Sequence, residues 1–250
     1  MDSLMNFNYL LETESETTIN SHSKHPSWFE YYDKIINCLF QVAYFVGKEE
    51  NIESDNGYFL TFAHSHILQF PYSVRAISIL LERGYYLESA QIVRHLLEVL
   101  VQLRYFDKHR TKLNKYVIKE TKITLKTMFD EFNPNLYSKM YYALSEATHG
   151  GFGSTIYRTQ YKSANDGVTI MGSIYNEMFS NYILNQLIPL IYCLLNYYPY
   201  FFIHYKELGP ESIENNRKKV LSELKTMMEL PPKSAKFLED IKPLVEFTSK

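Results

Sequence analysis

Arg94 and Glu98 stand four residues apart in "YLESAQIVRHLLEVLVQLRYFDK", residues 86–108, the stretch with the broadest apolar helical pattern in the chain. Charges set into such a pattern must be paired, because an isolated buried ion carries a desolvation penalty of several kcal/mol or more. A second polar pair lies in "LSEATHGGFGS", residues 144–154, where Ser145 and His149 are one helical turn apart. Brought together, these four residues could do chemistry on an anionic substrate. The imidazole of His149 could move a proton near neutral pH, and the guanidinium of Arg94 could stabilise a phosphate. The competing reading is structural: a buried ion pair that holds helices together.

Other chemistries fit less well. Glu146 and His149 form one E-x-x-H pair, but a di-iron centre needs a second such pair and two further glutamates, and none of the eight histidines supplies it. His64 and His66 are two apart, a spacing that directs the rings to different sides of a helix. Cys38 and Cys193 share no short metal-binding motif and sit in apolar surroundings, which suits buried thiols in a reducing compartment. The glycines of "HGGFGS" follow a helix instead of opening one, so they read as a helix stop and not as a phosphate cradle. No G-x-S-x-G elbow occurs. Neither a metal nor a cofactor is expected.

These residues must be positioned by helices. Pro26 opens a run of apolar residues at helical spacing that ends near Gly47, and a second runs from about Tyr58 to Arg83 with Pro71 as a kink or split. Gly84 separates it from the 86–108 helix, which predicts an antiparallel helical hairpin. Further helices are expected at about 110–131, 135–148, 173–206 and 211–229, with a short one after Pro231 and Pro232. Only "STIYRTQYKSANDGVTIMG", with its central NDG, reads as a hairpin or flap, near residues 154–171. The fold class is therefore all-α: a multi-helix bundle around antiparallel hairpins with one small β-hairpin-like flap. The expected organisation is a flexible lead-in over 1–25, a helical domain over 26–207 and a C-terminal helical appendage over 208–250.

Composition limits the partners. A net charge of −2 gives no global attraction to nucleic acid, although residues 104–126 gather positive charge. No DNA-reading motif is present. Residues 178–203 carry no charge over a length that could span a bilayer, yet four amides, two prolines and no flanking basic cluster favour a buried helix, so a membrane partner is not expected. The N-terminus lacks a basic region followed by an apolar core, and the cytoplasm is the expected location.

Two resemblances add to this reading. "RYFDKH", Arg104 to His109, resembles the R-x4-6-H motif of HEPN ribonucleases, all-helical proteins of bacterial toxin and defence systems, although Tyr105 stands where that family has a polar residue. The resemblance implies metal-independent RNA cleavage, with Arg104 on phosphate and His109 assisting proton transfer. More broadly, residues 60–205 resemble a family of bacterial helical proteins classed only as a domain of unknown function. Its hairpin glycine, Arg-x-x-x-Glu helix and Ser-x-x-x-His helix end match Gly84, Arg94 with Glu98, and Ser145 with His149. Two functions stay open: a defence-type ribonuclease acting on RNA, or a non-catalytic binding or regulatory module. A homodimer fits either.

Overall fold

The computed structural model describes residues 7–46, 57–141, 144–145, 159–163, 166–169, 173–197, 199, 210–229 and 239–240. The fold class is all-α. Helix α1 spans Phe7–Lys24, α2 Pro26–Val46, α3 Gly57–Glu82, α4 Tyr86–Lys108, α5 Arg110–Val117 and α6 Leu125–Phe132. Then come α7, Pro134–Leu136, running into a π-helical turn at Tyr137–Tyr141, and α8, Glu177–Tyr197, and α9, Glu211–Glu229. Thr159–Ser163 and Asp166–Thr169 pair antiparallel, with Gln160 opposite Val168.

The core follows from helical periodicity. In α2, Ile35, Leu39, Val42 and Val46 recur at spacings of four and three and are all buried. Along α3, Phe59, Ala63, Ile67, Phe70, Val74, Ile77 and Leu81 do the same. Pro71 was expected to kink or split this helix; α3 is not split there and continues as one element from Gly57 to Glu82. Proline removes one backbone bond, and the buried rows on either side hold the helix across that gap. Helix α4 packs against α3 and α8, α8 against α9, α9 against α2, and α2 against α3.

Gly84 makes the α3–α4 turn in the left-handed region, at φ +81°. A Cβ there would stand 2.7 Å from Ser173 Oγ, so the turn needs glycine for backbone freedom and for space. Around it, Ser173 Oγ donates to the Arg83 carbonyl, Ser21 Oγ donates to the Glu82 carbonyl, and the Tyr85 hydroxyl donates to Glu14 at 2.5 Å. These contacts seat α1. The segment expected as a lead-in thus carries an 18-residue helix whose only buried residues are Thr17 and Ser21. It docks through polar groups, so it lacks the apolar periodicity that marks the other helices.

The expected helix over 110–131 is two helices. Lys119 adopts φ +60° and closes α5, with the Glu120 N–H donating to the Lys115 carbonyl and the Lys119 N–H to that of Tyr116. This is a Schellman ending with lysine where glycine is usual. Thr124 then caps α6 by accepting from the Thr127 N–H at 3.2 Å.

Candidate functional site

Arg94 and Glu98 are joined directly: Arg94 Nε donates to Glu98 Oε1 at 2.9 Å. A further guanidinium nitrogen of Arg94 donates to the Tyr141 hydroxyl at 2.8 Å, and the guanidinium lies 4.8 Å from the Tyr141 ring centroid. The side chains of Arg94 and Glu98 are only 16% and 17% exposed. Burial raises the Tyr141 hydroxyl above the usual phenol range, and the Glu98 carboxylate beside it adds to that rise. Tyr141 in turn stacks on Tyr137 at 5.1 Å and packs on Phe129 at 5.2 Å. The result is a three-residue polar network, walled by aromatic rings, between α4 and the π-helical turn.

Ser145 is half-buried and lies four residues beyond Tyr141, so the chain carrying it is anchored to α4 by the Arg94–Tyr141 bond. His149 lies outside the described residues, as do Gly150, Gly151 and Glu146.

Arg104 and His109 engage different partners. The Arg104 guanidinium donates to the Tyr197 hydroxyl and lies 4.0 Å from that ring's centroid; the hydroxyl in turn donates to Asp107 Oδ2 at 2.6 Å. Arg110 donates to the other oxygen of Asp107 at 2.8 Å. Burial pushes the Tyr197 phenol far up. His109 instead meets both oxygens of Glu131 on α6 through Nε2, at 2.9 and 2.8 Å, and Lys108 donates to the same carboxylate at 2.7 Å. Burial raises the Glu131 carboxyl, but the bonds from Lys108 and His109 outweigh it and hold the group below its ordinary value. The arginine therefore fastens α4 to α8 and the histidine fastens it to α6.

Three partners escaped the sequence reading. Tyr141 had a signal, since it stands one turn before Ser145 on the same stretch. Tyr197 had none, being 93 residues from Arg104. The third is a polar group just before α2: His25 Nε2 meets Ser180 Oγ at 2.8 Å and the Tyr175 hydroxyl at 3.2 Å. Burial lowers the pKa of His25, opposed by the nearby Glu177 carboxylate. Ser180 is completely buried, which closes its hydroxyl to a substrate.

Burial raises the Cys38 thiol to about 12, despite Arg217 nearby, and raises Cys193 further, so neither is a ready nucleophile. Among the described residues, no group of three or more His, Cys, Asp or Glu is placed to hold a metal ion. Among the described residues one helix, α8, is long and apolar enough to cross a membrane, and 72% of its most apolar window is buried inside the molecule, as in a core helix. No family model, no curated protein and no solved structure matches the chain.

Proposed function

We propose that the protein is a non-catalytic helical interaction module, a bundle whose polar centre fastens helices instead of acting on substrate. One observation carries this reading: Arg94, Glu98 and Tyr141 direct their polar groups at one another within a largely buried network. A catalytic arginine and carboxylate need an opening in which a reacting atom can sit about 3 Å from both. The Arg104 and His109 pairings point the same way, because each is committed to a carboxylate or phenol on another helix. The succession of contacts from α2 through α3, α4, α8 and α9 back to α2 supports the bundle arrangement. Action in the cytoplasm, and the 154–171 flap lying beside the polar centre, belong to the same proposal.

The ribonuclease reading retains one specific support. Tyr141 brings the chain that leads to Ser145 and His149 against Arg94. The two readings separate by incubating the purified protein and its His149→Ala, Arg94→Ala and His109→Ala variants with total RNA, with and without magnesium. The interaction module leaves RNA intact in every case. Cleavage by the wild type that is lost in the His149→Ala or His109→Ala variant overturns the proposal in favour of the nuclease.

A further inference from the structure

Two exposed patches of opposite charge lie at opposite ends of α4. The first is the outer face of α1. With Thr17 and Ser21 turned inward, a helix of 100° per residue places Glu12, Glu16 and Ile19 together on the far side, with Leu11 at its edge. All four are exposed, Ile19 to 70%. Neither Glu12 nor Glu16 has an ion-pair partner among the described residues, whereas Glu14, on the inner side, meets Tyr85 and Arg83. The face is thus apolar and acidic.

The second patch is the tip formed by α5 and its left-handed ending. Val117 and Ile118 are adjacent and exposed, Ile118 to 63%, and Lys115, Lys119 and Lys122 of the same segment are exposed too, while Lys112 donates to the Tyr105 hydroxyl at 3.2 Å. Lys115, Lys119 and Lys122 have no ion-pair partner among the described residues, and Glu120 is the sole acid between Lys112 and Lys126. Lysine also occupies the φ +60° position, where glycine would be free of strain. The tip is apolar and basic. Aliphatic side chains at its apex offer no ring on which a nucleobase could stack, which disfavours a nucleic-acid partner.

We infer that the acidic apolar face of α1 in one molecule docks on the basic apolar tip of α5 in a second copy of this chain. The patches cannot meet within one molecule. Helix α1 is seated at the Gly84 end of α4, through Tyr85 and the α3–α4 turn, and α5 follows the other end directly. A 23-residue helix separates them by about 34 Å. Each molecule presents both halves, so the contact is head-to-tail and extends into longer assemblies unless the rotation closes a ring. Its charged part weakens as salt screens it. The inference names the partner for the interaction module proposed above and rests on that reading.

The test is a charge exchange read by analytical ultracentrifugation of the full chain. One variant carries Glu12→Lys and Glu16→Lys; the other carries Lys115→Glu and Lys122→Glu. The wild type should show an average mass of at least twice 29.6 kDa as concentration rises, falling back as salt is added. Each variant alone should remain at the monomer mass with an unchanged circular dichroism spectrum. An equimolar mixture of the two should assemble again, since each variant's altered patch is complementary to the other's. A wild type that stays monomeric throughout, or two monomeric variants that fail to assemble when mixed, overturns the inference. So does loss of assembly in only one variant, or a tip that binds RNA or anionic vesicles in place of a second copy. RNA cleavage is read separately, so failure to assemble leaves the non-catalytic reading standing and cleavage leaves the assembly result standing.

Discussion

His25 illustrates how a polar residue can be structural and yet pH-sensitive. Its neutral Nε2 faces Ser180 and Tyr175 at the start of α8, and burial outweighs Glu177 in lowering its pKa below the ordinary 6.5. A histidine depressed in the folded state binds fewer protons there than in the unfolded chain, so its contribution is complete above about pH 6.5 and is lost as pH falls toward the folded value. His64 and His66 are lowered by burial as well and act in the same direction. Thermal unfolding measured between pH 7.5 and 5 should therefore show a falling midpoint, and a His25→Gln variant should fall less steeply. Equal slopes would remove His25 from the account. At this scale, the sequence shows that Arg94 and Glu98 must be paired, because ions in an apolar helix leave no alternative. It does not show Tyr141, Tyr197 or Glu131 as partners, since these contacts depend on how helices cross.

Among the elements, two helix endings make opposite predictions. Gly84 and Lys119 both lie at positive φ, but glycine fits the conformation and lysine does not. Gly84→Ala should cost about 1–2 kcal/mol or more, because strain adds to the clash with Ser173. Lys119→Gly should instead stabilise by up to about 1 kcal/mol. Urea unfolding of both variants checks the signs, and a stabilising Gly84→Ala would contradict the turn as described. The Gly84 hairpin and the extents of α2, α4 and α9 could be read from sequence, because glycine, proline and apolar spacing mark them locally. The α5–α6 break could not, since a lysine in the left-handed region leaves no compositional trace. Helix α1 was obscured for a different reason: its buried side is Thr17 and Ser21, so it imitates a polar lead-in.

Over the whole molecule, α9 connects α8 to the first part of the chain. Arg217 is 5% exposed, holds Glu214 through two nitrogens and donates to the Leu195 carbonyl at 2.8 Å. It thereby satisfies a carbonyl in the last turn of α8, where a cation also complements the helix dipole. Arg217→Met should cost about 1–3 kcal/mol, because it leaves the buried Leu195 carbonyl without its charged donor, while Glu214 keeps Lys218 at 3.7 Å. A loss under about 0.5 kcal/mol in urea unfolding would show that α8 and α9 are held by apolar packing alone. The all-α class was readable from the apolar periodicity of the core helices, α1 excepted. The uncharged stretch was ambiguous until its surroundings were known, because a core helix and a membrane helix share composition and differ only in what covers them.

The central claim is that the Arg94–Glu98–Tyr141 network is a clamp between α4 and the chain that leads to Ser145. A double-mutant cycle of Arg94→Met and Tyr141→Phe, read as unfolding free energy in urea, isolates the bond across that junction. For a charged hydrogen bond with a ring beneath it in a mostly buried site, the account predicts a coupling of about 1–2 kcal/mol. Strictly additive effects would contradict it, because the two residues would then not be fastening the elements that carry them.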